Sequence, residues 1–337
     1  MTRAELEIPF PSRVHPQIAR VLKEHAEWMK RMGLTRGGNI PSGYDERGVD
    51  IVPFMFPDMP YEGVLYATHM MGIMVFTDDY CAYGEKELQR VNGFVEQFLG
   101  RMQEPVGHRH ESEDPLLRAW DDNWSRVAEN MSKAWRTRAL KHWRLFIAAF
   151  AKENSMRQQG VLPKLETYFG LRREAVGALP FSDLIESGYG FELSLEVMEH
   201  PVMQCMIDAF CDVMIMINDA HSLQIEIETG EVNNMAKILM HEHGYSKDDA
   251  IAELQRVCRE RCNAFIHLDG EIRKELGVLD LSGQTWKNID TYIGNLRSMM
   301  RGHYDWSLGA SRYDPKTFAM PQDFLEISRE TASIAAK

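Results

Sequence analysis

Asn218, Ser222 and Glu226 stand at i, i+4 and i+8, which lines three oxygen donors along one helical stripe, about 6 Å per step. A hard cation suits this set, because magnesium takes oxygen ligands, keeps several waters, and is shared between one or two carboxylates and substrate phosphates. A helix that turns a polar face to water shows the same stripe. What distinguishes this one is its lead-in: Met206, Ile207, Phe210, Val213, Met214 and Ile217 make the first half of segment 203–228 apolar. A buried helix that turns acidic near its end has acids at the mouth of a core. Segment 63–76 does the same, running through Val64, Leu65, Met70, Met71, Ile73, Met74 and Val75 into Asp78 and Asp79. Two such helices can face each other across one cavity and hold a metal cluster over an apolar pit. That geometry suits a substrate with a diphosphate head and a hydrocarbon tail.

Other constellations read as structural. Asp248 and Asp249 follow Ser246 and look like helix-capping acids, and Asp121–Asp122 has less apolar lead-in. Cys258 and Cys262 are one helical turn apart, but no second pair sits at zinc-site spacing. His241-Glu242-His243 lacks the H-E-x-x-H pattern of a catalytic zinc site and suits a helix end before Gly244. The basic run 133–144, with Arg136, Arg138 and Lys141, reads as a solvated helix face.

The elements that must position these residues are helices. Apolar residues recur at helical spacing through nearly the whole chain, while glycine and proline fall between segments. Helices are expected from about 18 to 33, 63 to 76, 85 to 102, 115 to 135, 135 to 154, 164 to 169, 203 to 228, 246 to 274 and 286 to 300. Between 171 and 190, Gly177, Pro180, Gly188 and Gly190 predict short broken pieces, where backbone groups can be exposed to a ligand. The fold class is all-α, one domain over 1–337, with an arm at 1–13 and a tail at 314–337. At 337 residues and 44% hydrophobic, the chain has enough apolar surface for a large core. Thirty-eight Lys and Arg against 50 Asp and Glu leave a net charge of −12, a field that repels nucleic acid. Five cysteines mostly within apolar or helical stretches fit a reducing cytoplasm. Neither a leader, a disulfide framework nor stable membrane insertion is expected. The absence of G-x-G-x-x-G and G-x-x-x-x-G-K loops argues against dinucleotide and P-loop folds.

With the motifs taken in order, the chain from about 9 to 313 resembles the bacterial class I terpene synthases. Asp78 and Asp79 match the start of that family's aspartate-rich motif, and N-D-A-H-S-L-Q-I-E (218–226) matches its second metal-binding motif. P-K-L-E-T-Y-F-G-L-R-R-E-A-V-G (163–177) matches the segment carrying the diphosphate-sensing arginine, placed at Arg172. W-S-L-G-A-S-R-Y (306–313) matches the closing pair, Arg312 and Tyr313, and P-F-P-S-R-V-H-P (9–16) the opening segment. The resemblance implies a helical bundle around a central apolar cavity and three magnesium ions, with manganese able to substitute. It implies an isoprenyl diphosphate substrate, farnesyl diphosphate by default, and a homodimer. Asp78 would bridge two metals, Asn218, Ser222 and Glu226 would hold the third, and Asp79 would orient an arginine or a water. Arg172, Arg312 and Tyr313 would grip the diphosphate, and the Val176 carbonyl is the candidate dipole aimed at the cation. Phe56, Phe76, Tyr80, Phe150 and Trp306 are candidates for the cavity wall, each weighed against simple core packing.

Two departures stand out. The third acid of the aspartate-rich motif is replaced by Ala82 and Tyr83, and the lysine before the final glutamate of the second motif is Ile225. A chain-elongating prenyltransferase needs two D-D-x-x-D motifs and a protonating cyclase needs D-x-D-D; neither is present. The alternative readings are a monoterpene or diterpene synthase using geranyl or geranylgeranyl diphosphate and, further, a prenyl-diphosphate-binding helical protein of weak turnover.

Overall fold

Asp114, Ser132, Ser194, Asn234, Ser246 and Ser282 each stand just before a helix, and each side chain accepts a hydrogen bond from a first-turn N–H. These caps satisfy donors that a helix leaves unpaired, so they fix where the elements begin. The structure, a computed structural model, describes residues 5–34, 48–83, 88–106, 114–310 and 313; at 78–83, 88–92, 151, 154, 158 and 229 it describes the backbone alone. Its helices are α1 (Ile18–Met32), α2 (Val52–Met55), α3 (Tyr61–Tyr83), α4 (Leu88–Arg101), α5 (Pro115–Ala128), α6 (Lys133–Gln159) and α7 (Leu165–Ala175). They continue with α8 (Ala178–Tyr189), α9 (Leu195–Met198), α10 (Pro201–Thr229), α11 (Met235–His243), α12 (Lys247–Glu275) and α13 (Gly283–Gly309). No strand occurs among the described residues, and the fold is all-α.

Several boundaries differ from the expected ones. Helix α3 does not end before Asp78 but carries it and Asp79 inside its last turns. The junction expected at Trp135 lies instead at Ser132, whose hydroxyl accepts from the Trp135 N–H and starts α6. Segment 178–189 is one helix where broken pieces were expected, because Pro180 falls in its first turn, where a proline N–H is not needed. Helix α7 runs well past Phe169, to Ala175.

Helix α10 forms the centre of one half of the bundle. Met203, Met206, Phe210, Val213, Ile215, Met216 and Ile217 are all fully buried, and α10 packs most extensively on α12, then α13, α11 and α7. It is long and apolar enough to cross a membrane by composition, yet 72% of its most apolar window lies inside the protein, as in a core helix. Helix α3 organises the other half, against α1, α5, α6 and α8. Helix α8 touches both α3 and α10, so the two acid-bearing helices share neighbours. An aromatic chain runs through α5 and α6: Trp124 stacks on Trp120, Trp120 meets Trp143 edge-on, and Trp143, Phe146 and Phe150 continue it. The described part of the arm lies on α12 and α13, where Gln255 donates to the Glu5 carbonyl, Arg301 donates to the Ile8 carbonyl and Phe10 meets Phe265 edge-on. The tail, 314–337, lies outside the described residues.

Candidate active site

The α10 stripe is assembled by bonds within and across helices. The Ser222 hydroxyl donates to the Asn218 carbonyl one turn back, at 2.7 Å, and also interacts with the Glu226 carboxylate. Asn234, the cap of α11, is fully buried and donates from Nδ2 to Glu226 Oε2 at 2.8 Å and to the Asp219 carbonyl at 2.9 Å. Asp219 faces away from the stripe. Its Oδ2 accepts from the Tyr168 hydroxyl at 2.5 Å and from the Met235 N–H at 2.8 Å, while its Oδ1 has no hydrogen-bond partner among the described residues. Burial pushes the Asp219 carboxyl up to about 6. Burial, and then the neighbouring Asp219, push Glu226 up to about 7. Such a carboxylate gains from a cation beside it.

Helix α7 delivers the arginine. Arg172 Nη2 donates to Asn218 Oδ1 at 2.8 Å, its Nη1 lies 3.6 Å from Glu153 Oε1, and its Nε lies 3.9 Å from Asp219 Oδ1. Burial opposes the guanidinium charge, but the oxygens of Tyr168, Glu153, Asp219 and Glu226 outweigh it and hold Arg172 above its ordinary value. Asn218 Nδ2 in turn donates to the Tyr313 hydroxyl at 3.2 Å. Both polar atoms of Asn218 are therefore engaged by residues that sequence analysis assigns to diphosphate. His221, buried on the same turn, packs against Tyr304 and Tyr313.

Val176 closes α7, and Gly177 follows it at φ +75°, a left-handed conformation that breaks the helix before α8. The Val176 carbonyl would bond to the N–H of residue 180 in a continuous helix, but Pro180 has none, and nothing among the described residues donates to it. A Cβ on Gly177 would lie 2.7 Å from Met74 Sδ and 3.5 Å from Phe146, so α3 and α6 close on the break. Phe146, not named from the sequence, and Met74, expected there only as part of an apolar helix body, thus border it.

Phe56, Phe76, Phe150 and Trp306 are all buried. Phe150 ends the aromatic chain at 4.8 Å from Phe146, Trp306 donates to Asp50 Oδ1 at 2.8 Å, and Tyr313 meets Trp306 edge-on. Asp78, Asp79 and Tyr80 lie on α3, but their side chains, like those of Ala82 and Tyr83, are outside the described residues, as is Arg312. Ile225, in place of the usual lysine, is buried. The Lys237 ammonium is taken up by the carbonyls of Glu226 and Glu231. The acid pairs elsewhere are structural: Asp121 pairs with Arg101, Asp122 accepts from Trp28, and Asp249 accepts from Ser246 in the first turn of α12. Among the described residues no three His, Cys, Asp or Glu form a metal cage. The mixed Asn, Ser and Glu oxygens of α10, with Ser222 buried and Asn218 and Glu226 only partly so, fit a hard cation that completes its shell with water and phosphate.

An all-α bundle with this site has the fold of class I terpene synthases: the solved a-eudesmol synthase superposes with a TM-score of 0.83 at 22% identity, covering 91% of this chain and 99% of that one. Residues 69–264, more than half of the chain, match the family described as "Terpene synthase family 2, C-terminal metal binding", and the chain belongs to that family of bacterial terpene-synthesising, metal-binding enzymes. It is 28% identical to a (-)-beta-caryophyllene synthase of Saccharothrix espanaensis described as (2E,6E)-farnesyl diphosphate cyclizing, covering 91% of this chain and 87% of that protein. It is also 28% identical to a pentalenene synthase of Streptomyces avermitilis, covering 96% and 97%.

Proposed function

We propose that this chain acts in the cytoplasm as one catalytic domain, ionising farnesyl diphosphate with magnesium and converting the allylic cation into a sesquiterpene hydrocarbon or alcohol. The observation that carries the reading is the convergence of Arg172 and Tyr313 on Asn218, at the head of the Ser222–Glu226 stripe. The "farnesyl diphosphate cyclizing" relative supports the fifteen-carbon substrate. Asp78 would hold two of three magnesium ions, with Asp79 orienting groups beside it, and the α10 stripe would hold the third. Bound magnesium supplies charge that stabilises diphosphate as the leaving group.

The chain's own residues do the rest. Substrate diphosphate competes for the Arg172 guanidinium and the Tyr313 hydroxyl, which then leave Asn218 free to ligate. Arginine suits this because its fork matches phosphate oxygens. Arg312 would join them. The Val176 carbonyl, without an N–H partner, offers a preset negative dipole to the allylic cation. Phe56, Phe76, Tyr80, Phe150 and Trp306 would supply aromatic faces, each worth about 2 kcal/mol to a desolvated cation, while the apolar wall excludes water.

Incubation with magnesium and, separately, ten-, fifteen- and twenty-carbon prenyl diphosphates, followed by gas chromatography and mass spectrometry of the hexane extract, tests this. A terpene from the fifteen-carbon substrate is expected, and silence with all three defeats the reading. Asn218→Ala and Glu226→Ala should each abolish turnover with helical content by circular dichroism intact; an active variant removes the metal assignment.

A further inference from the structure

Arg173 follows Arg172, and one residue along a helix is a rotation of about 100°, so the last turn of α7 sends its two guanidiniums in different directions. Arg172 enters the site. Arg173 leaves it and forks onto Asp212 of α10, Nε to Oδ1 at 2.7 Å and Nη2 to Oδ2 at 2.8 Å, with Nη1 2.7 Å from Asp208. Asp212 is fully buried. From α12, Arg261 Nε lies 3.0 Å from Asp212 Oδ2, and the Arg261 guanidinium stands 5.5 Å from the Phe169 ring of α7. One buried carboxylate therefore ties three helices together.

Helix α7 needs such a tie. It has 11 residues, and Tyr168 is its one fully buried side chain. A helix this short is marginal without tertiary anchors. Its buried polar anchors to α10 are Tyr168 on Asp219, Arg172 on Asn218, and Arg173 on Asp212, while Glu174 pairs with Lys152 of α6 and the Leu165 N–H donates to Glu242 of α11 at the exposed side. A substrate that draws Arg172 off Asn218 removes one of them, and the Arg173 fork, six residues upstream of Asn218 on the same α10, still fixes the rotation of the turn that ends at Val176. A bidentate pair on a buried carboxylate is a weak source of net stability against an apolar packing, so fixed geometry is the more natural use for it.

We infer that Arg173 and Asp212 are positioning residues that hold Arg172 and the Val176 carbonyl in register with the α10 stripe, and so govern ionisation and the share of cation that closes into rings before it is quenched. The inference rests on the prenyl diphosphate reading above. Wild type, Arg173→Gln, Arg173→Lys and Arg261→Gln are compared by diphosphate release, product profile and melting temperature. For Arg173→Gln, kcat should fall at least tenfold with KM within twofold, and the acyclic share of products should rise; Arg173→Lys, which keeps the charge but not the fork, should fall between. If Arg173→Gln does not fold, Arg173→Lys and Arg261→Gln carry the same comparison. A lower melting temperature with kcat per folded site and product profile unchanged overturns the inference. No diphosphate release by wild type from any prenyl diphosphate overturns the reading beneath it instead.

Discussion

Asn234 divides one amide between two tasks: its Oδ1 accepts from the Ala236 N–H to cap α11, and its Nδ2 holds Glu226 and the Asp219 carbonyl. A proposed ligand is thereby oriented by a residue eight positions further on. Partners of this kind typically matter 10–100-fold in metal affinity. Asn234→Ala should raise the magnesium concentration for half-maximal diphosphate release about 10–100-fold, with loss of the cap costing about 1 kcal/mol of stability. Asn234→Asp keeps the acceptor for the cap but sets a second carboxylate against Glu226, so it should show the metal defect with less of the stability loss. A melting shift without any change in magnesium requirement would show that the amide serves the fold alone. Asparagine before an apolar run is readable from sequence as a cap. Its reach to Glu226 is not, because it depends on how the loop at 230–234 folds back onto α10.

At the scale of elements, α1 meets α3 through two buried histidines. His25 Nδ1 and His69 Nδ1 are 3.0 Å apart, and His69 stacks on Trp28 at 4.1 Å. Burial pulls His25 down to about 3; burial, then the charge His25 would carry, hold His69 well below its ordinary value. Both are neutral in the fold and gain protons near pH 6.5 when it opens. Their stabilising effect is complete above that value and is lost as pH falls, by about 1.4 kcal/mol per pH unit for each group. From pH 7 to 5 the raised carboxyls of Asp219 and Glu226 act in the opposite sense, so the histidine pair is read by difference: the melting temperature of wild type should respond less favourably to acid than that of His69→Gln, and equal slopes would exclude the pair as a contributor. Much of this level was legible. The apolar body of α10, its polar second half and the Ser246 cap follow from residue order. What escaped were boundaries set by single residues in context, such as Pro180 lying inside the first turn of α8, and α7 continuing to Ala175 on ties made to α10. The divergence of Arg172 and Arg173 follows from helical geometry, but which one enters the site depends on where Asn218 and Asp212 lie in space.

For the whole molecule, a ligand that binds only the fold stabilises it by mass action, about 2.7 kcal/mol at one hundred times its dissociation constant. Magnesium with inorganic diphosphate should raise the melting temperature by several degrees, and either component alone by much less. A full shift with diphosphate alone would mean that the arginines and the hydroxyl bind anion without metal. The net charge of −12 and the position of the stripe both oppose that outcome. Helix α10 ends at Thr229, so the Glu226 carboxylate lies in its final turn, where the Lys237 ammonium meets the Glu226 carbonyl and leaves the carboxylate to Asn234 and the site. An approaching diphosphate meets the Glu226 carboxylate at the end of this buried helix and is repelled unless a cation precedes or accompanies it. The helix end thus imposes an order of arrival: the metal is a condition of substrate capture as well as of bond breaking, and prenyl diphosphates met without it should be left intact and free.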